Sequence, residues 1–104
     1  MPSNTASRRC HGTLTGTSIE TVTLTGQVSK ARIVLRSGSA ECWATVGYAN
    51  QSPAQADPVA EADETYFVGF GAGDFVDIYH IRPGAGDLTV KILGNGHKYT
   101  VEAR

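Results

Sequence analysis

The sequence predicts an all-β fold: an antiparallel two-sheet β-sandwich of about seven strands behind an extended N-terminal arm. Three observations predict it. Short stretches alternate apolar and polar residues with a period of two, the mark of half-buried strands. Clusters of Gly, Pro, Asn and Ser punctuate these stretches at roughly 8–12 residue spacing, as in sandwiches and barrels. No stretch is rich in Ala, Leu, Glu and Lys together, so helix propensity is low throughout. One sheet cannot bury its apolar face alone, so two must stack. At 104 residues the chain is one domain, read as an arm at 1–16 and a sandwich at 17–104.

The arm is polar, rich in Ser, Thr and Gly, and lacks periodicity, so it reads as flexible. Arg8 and Arg9 give it a positive charge with which to reach a neighbouring subunit. Ser18–Thr25 is the first predicted strand, with a slip between Ile19 and Val22 that suggests a bulge or a bend. Gly26 and Gln27 begin a turn. Lys30–Arg36 is the second strand, placing Ala31, Ile33 and Leu35 on one face. Ser37–Ser39 is a hairpin-type turn, so Glu41–Tyr48 should pair antiparallel with the second strand. That pairing would bring Trp43 near Arg32 or Arg36 on an outer face.

Residues 49–64 form the longest connection, broken by Pro53 and Pro58 and holding Asp57, Glu61, Asp63 and Glu64. It reads as a solvated crossover loop between two sheets, without the spacing of a calcium loop. The stretch Asp63–Ile81 then holds the densest aromatic supply: Tyr66, Phe67, Phe70, Phe75 and Tyr79. It reads as strands Thr65–Phe70 and Phe75–Ile81 joined by a Gly-rich turn. Alternation assigns Tyr66, Val68, Phe70, Val76 and Ile78 to the central wall of the core. Arg82–Asp87 is a further turn. Leu88–Leu93 and His97–Glu102 are the last strands, separated by Gly94-Asn95-Gly96 with hairpin chemistry.

A formal net charge of −1 and a pI near 6.3 argue against nucleic acid as a partner. No apolar run approaches a membrane span, and the first residues lack the apolar region of a secretory signal. Cytoplasmic synthesis and reduced thiols at Cys10 and Cys42 are therefore expected. His11, His80 and His97 show no metal-binding spacing and read as surface or strand-end residues. Cys42 sits on a core face, where a thiol is inert, and no nucleophile elbow is present. No enzyme, no catalytic residue, no cofactor, no metal and no small-molecule ligand are expected. Two exposed sheet edges suit binding or assembly instead.

The order VTLTG (Val22–Gly26), RIVLRSGSAECWATVGYA (Arg32–Ala49), a Pro-containing loop into ADETYFV (Ala62–Val68) and VKILGNGHKYTVE (Val90–Glu102) resembles one group of small proteins. These are β-sandwich virion proteins of tailed actinobacterial phages. Cys42-Trp43 and the acidic loop depart from the group's pattern. The resemblance implies a non-enzymatic capsid decoration (cement) protein, made in the host bacterial cytoplasm and carried on the virion. Its partners would be the major capsid protein and copies of itself, with trimers natural at threefold positions. Arg8, Arg9, Trp43, Tyr48, Asp57 and Glu61 are the expected partner contacts. The alternatives are a head–tail or tail accessory protein, and a carbohydrate-binding sandwich using Trp43, Tyr48 and Tyr66 as stacking platforms.

Overall fold

The computed structural model describes residues 3–25, 28–51, 54–79 and 86–104. His80, the turn at Gly26 and Gln27, and most of the turn at 82–87 lie outside the described residues. The fold is all-β, with two stacked sheets. The strands are β1 (Ser3–Ala6), β2 (Arg9–Thr13), β3 (Thr17–Leu24), β4 (Lys30–Ser37), β5 (Cys42–Tyr48), β6 (Tyr66–Gly69), β7 (Phe75–Tyr79), β8 (Leu88–Asn95) and β9 (Lys98–Ala103). A five-stranded sheet runs β1-β3-β8-β5-β6, and a four-stranded sheet runs β2-β9-β4-β7. All pairings are antiparallel except β1 with β3.

The count of nine strands, against about seven expected, comes from the arm. Residues 1–16 carry β1 and β2, which join the domain's own sheets instead of extending as a flexible arm. Polar Thr and Ser side chains hide the strand signal, because each arm strand is an edge with one face open. Yet both strands are anchored inside. Cys10 and Leu14 enter the core, and Asn4 Nδ2 donates to the buried Tyr99 hydroxyl at 3.1 Å.

The core lies between the sheets, where the predicted alternations converge. Val22 and Leu24, Ala31, Ile33 and Leu35, Cys42 and Ala44, Leu88, Val90 and Ile92, and Tyr99 and Val101 all point inward. Strand β3 carries no bulge, because its register with β8 is continuous. The inward position before Val22 is filled by Glu20, whose carboxylate accepts the Tyr99 hydroxyl at 2.5 Å. The apparent slip in the sequence is thus a buried polar residue with a partner, and Ile19 faces outward.

The short turns do not build hairpins. The chain changes sheet at every connection except the one from β5 to β6. Strands β4 and β5, expected to pair, lie in different sheets, and so do β8 and β9 around the Asn-Gly turn. A tight turn reverses the chain equally well within a sheet or across a sandwich. Trp43 and Arg32 therefore stand on opposite outer faces of the molecule.

Residues 49–64 do not cross between sheets but return to the sheet they left. Residues 55–57 lie over the outer face of the five-stranded sheet. Thr45 Oγ1 donates to the Ala56 carbonyl at 2.9 Å and accepts from Gln55 Nε2 at 3.1 Å. Thr89 Oγ1 donates to Gln55 Oε1. Lys91 Nζ reaches the Gln55 carbonyl at 3.1 Å and Asp57 Oδ1 at 2.9 Å. Gln55 thus fastens the loop to two strands at once.

Candidate protein-binding flank

β6 and β7 are the outermost strands of their respective sheets, and they lie on the same side of the sandwich. Only one flank of each strand is paired, and Val68 and Ile78 are the large side chains that these strands bury. Tyr66, Phe67, Phe70, Phe75 and Tyr79 stay between 43% and 63% exposed. The expected central wall of the core is therefore an edge. Tyr66 and Phe70 lie open, while Val76 is half-buried against the core.

The corner between these strands is rigidly built. Asp74 Oδ2 accepts the backbone N–H of Phe70 at 2.8 Å and of Gly71 at 3.2 Å. These bonds hold the Asp74 carboxyl below its ordinary range. Gly69 has a φ of 143°, and a Cβ there would meet the Asp74 side chain at 2.3 Å, so glycine is required. Leu35 N–H donates to the Asp74 carbonyl, and Gly73 N–H donates to the Leu35 carbonyl, tying the corner to β4.

Behind the corner stands His97, fully buried where a strand-end surface histidine was expected. Its Nδ1 accepts the Asn95 N–H at 2.9 Å, so the proton sits on Nε2. Nε2–H then donates to the carbonyls of Ala40 at 2.8 Å and Phe70 at 3.0 Å. One imidazole thereby holds the turns after β4, β6 and β8 together.

On the outer face of the five-stranded sheet, register aligns Ile19, Leu93, Trp43 and Phe67 in one row across four strands. Trp43 and Phe67 rings meet at 4.9 Å, tilted by 60°, and Phe67 meets Phe70 edge-on at 5.3 Å. The row ends in an open groove of about 440 Å³ between the two edge strands, floored by Gly69 and Gly73 and walled by Phe67, Phe70 and Phe75. On the far side, the Arg32 guanidinium lies 4.2 Å over Phe75 and binds Asp77 through two hydrogen bonds, at 2.7 and 3.1 Å. That pair lowers the Asp77 carboxyl and raises the Arg32 guanidinium relative to their ordinary values.

Of the six expected contact residues, only Trp43 belongs to this flank. Arg8 is exposed just before β2, and Arg9 pairs with Glu102 at 3.1 Å on the far edge of the other sheet. Tyr48 is half-buried at the end of β5, its N–H donating to Gln51 Oε1. Asp57 is engaged by Lys91, and Glu61 sits exposed on a turn with a φ of 64°. Trp43, Tyr48 and Tyr66 form no common platform. Tyr48 and Tyr66 occupy the alternate positions shared with Ala44, opposite Trp43. The residues missed, Phe67, Phe70, Phe75 and Tyr79, were visible as the aromatic cluster of 63–81. Alternation already turns Phe67, Phe75 and Tyr79 outward; the exposure of Phe70 follows from its place past the end of an edge strand, which alternation does not encode.

Charge is distributed as unevenly as the aromatics. The four-stranded sheet and its entry segment carry all of the chain's 9 lysines and arginines except Arg82 and Lys91. Three carboxylates oppose them there: Asp74, Asp77 and Glu102. The five-stranded sheet and its loop carry the buried Glu20 and, outside the core, Glu41, Asp57, Glu61, Asp63, Glu64 and Asp87, with Lys91 as the one described cation among them.

Nothing in this arrangement gathers reactive groups. Among the described residues, no group of three His, Cys, Asp or Glu side chains could hold a metal ion. Both cysteines are free and buried, and burial pushes the Cys42 thiol up to about 12. Among the described residues, no helix is long and apolar enough to cross a membrane.

No protein-family model and no curated protein matches the chain. Solved structures do resemble it. Aeromonas hydrophila PliG, a periplasmic lysozyme inhibitor of g-type lysozyme, superposes with a TM-score of 0.54 at 16% identity, covering 99% of this chain and 98% of that one. The pre-peptidase C-terminal domain of Bacillus anthracis collagenase gives a TM-score of 0.43 at 13% identity, covering 98% and 94% of the two chains. The CUB1-EGF-CUB2 domains of rat MASP-1 give 0.48 at 11% identity, covering 98% of this chain and 42% of that one. At such identities the first likeness speaks for the β-sandwich fold alone.

Proposed function

We propose that this chain is a non-enzymatic assembly protein that binds another protein through the β6–β7 flank. The observation that carries this reading is the row of exposed aromatics on two adjacent, unpaired strand edges. An aromatic side chain can bury about 150–250 Å², so five at about half exposure leave roughly 500 Å² open. That matches the largest apolar patch of a typical monomer, which is often functional, and is more than half of the roughly 800 Å² that one partner gives to a standard interface. Aromatic anchors on a rigid corner lose little entropy when a partner covers them.

The identity of the partner rests on the resemblance to phage virion proteins, which points to the outer surface of an assembled capsid. Mass spectrometry of purified virions of the encoding phage tests it. Hundreds of copies per particle are the expected result. About six or twelve copies would move the protein to the head–tail joint or tail, and absence would overturn the virion reading. Adding Phe67→Ser/Phe70→Ser/Phe75→Ser protein to particles that lack the protein tests the flank. Binding should be lost while the far-UV spectrum stays unchanged. Full retention of binding would exclude the flank as the contact.

A further inference from the structure

The near-neutral net charge of −1 conceals two oppositely charged faces on opposite sides of the sandwich. On the four-stranded side, register sets Arg9, Glu102, Arg32 and Asp77 in one row of alternating sign, which largely satisfies itself. Arg8, Lys30, Arg36 and Lys98 lie exposed around that row and form no ion pair among the described residues. On the five-stranded side, the loop tethered by Gln55 carries Glu61, Asp63 and Glu64, all exposed and likewise without an ion-pair partner among the described residues. Glu41 and Asp87 flank the same sheet. The excess positive charge of one face and the excess negative charge of the other are therefore similar in size, and among the described residues neither is neutralised by ion pairs.

We infer that these faces are the two halves of one contact, through which copies of the chain associate head to tail. The occupant of the basic face is the acidic loop of a second copy. Charge complementarity argues for it, since the surface that best matches the basic face is displayed by the chain itself. The contact is heterologous, because unlike surfaces meet. Two faces on opposite sides of a molecule propagate an open stack unless a rotation closes it into a ring. The contact borders the aromatic flank at Lys30, whose Nζ lies 5.7 Å from the Tyr79 ring centroid, while the corner residues Phe67 and Phe70 lie outside it. It should depend strongly on salt, because exposed charges are screened over a few ångströms at high ionic strength.

Sedimentation equilibrium of the full chain tests this. At about 10 mM salt the weight-average mass should exceed the 11.0 kDa of one copy and rise with protein concentration. At about 500 mM salt this salt-sensitive component should vanish, since the Debye length shortens several-fold. A basic-face variant, Arg8→Glu/Lys30→Glu/Lys98→Glu, should lose the salt-sensitive component. So should a loop variant, Asp63→Lys/Glu64→Lys. An equimolar mixture of the two should recover it, because the loop of one now matches the face of the other. The milder pair Lys98→Glu and Glu64→Lys serves if a multiple variant does not fold. A mass unaffected by salt, single variants that still associate, or a mixture that stays dissociated would overturn the inference. So would a wild type that stays monomeric at low salt yet binds double-stranded DNA, which would give the basic face a different occupant. Loss of virion binding by the flank variants leaves these masses unchanged, so the two proposals fail separately.

Discussion

Three side chains show how much single residues decide here. Glu20 breaks the apolar alternation of β3, and its partners, Tyr99 from β9 and Asn4 from β1, are 79 and 16 positions away. Nothing local in the sequence announces such a triad. Tyr99 in turn fixes its neighbour. A Cβ on Gly12 would sit 2.3 Å from the Tyr99 ring and hydroxyl. The ring is fully buried and tethered, so it cannot yield, and Gly12→Ala should cost about 2 kcal/mol or more. Urea unfolding measures this, and an unchanged midpoint would contradict the packing. His97 likewise looked like a surface residue because it follows a Gly-Asn-Gly turn. Replacing it with Ala removes three hydrogen bonds and leaves buried carbonyls unpaired. The expected loss is about 3 kcal/mol, or a Tm lower by about 15 °C, read by thermal melts.

At the level of strands, existence was legible and partnership was not. Each of the seven predicted strands has an observed counterpart, because alternation reports that one face is buried. Alternation is silent on which strand lies alongside, so the hairpin expectations for β4 with β5 and for β8 with β9 failed. The same silence hid the flank: an aromatic on an edge strand alternates just as it would in the middle of a sheet. The loop between β5 and β6 looked merely solvated, since its fastening residue, Gln55, is an unremarkable polar residue in the sequence. Gln55→Ala should remove the loop's side-chain bonds to Thr45 and Thr89, leaving Thr45 to the Ala56 carbonyl and Lys91 to Asp57 as weaker ties, with the sandwich intact. Limited proteolysis should then cut between 50 and 64 several-fold faster, with Tm lowered by only a few degrees. A cleavage rate equal to wild type would show that other contacts hold the loop.

For the molecule as a whole, the pKa shifts set a stability window with two edges. The carboxyls of Asp74 and Asp77 are lowered in the folded state by hydrogen bonds from the Phe70 and Gly71 amides and from Arg32. Their contribution is present above about pH 4 and is lost as pH falls through the folded values. The thiols of Cys42 and Cys10 and the Tyr99 phenol are raised, chiefly by burial. Stability should therefore be full below about pH 9 and decline as pH rises further, since the unfolded chain ionises first. Urea midpoints should be flat from roughly pH 5 to 8 and fall on both sides. Cys42→Ala should flatten part of the alkaline limb, and a midpoint that rises above pH 9 would contradict the assignment. The overall charge balance was read from composition, but its separation onto two faces could not be, because it depends on which strands share a sheet.

The alternation of the chain between sheets has a consequence for how the protein is made. The middle strands of the two sheets, β8 and β9, are the last two in chain order. Until they leave the ribosome, β3 has no β5 to reach through β8, and β2 has no β4 to reach through β9. Of the strands synthesised before them, only β5 and β6 are sequence neighbours that pair. A nascent chain can therefore form only the β1–β3, β4–β7 and β5–β6 pairings, and its aromatic stretch 63–81 emerges uncovered. Folding waits for the final strands and then joins distant segments at once, which is intrinsically slow and exposes the chain to aggregation meanwhile. Loss of β9 would remove the middle of a sheet instead of trimming an edge.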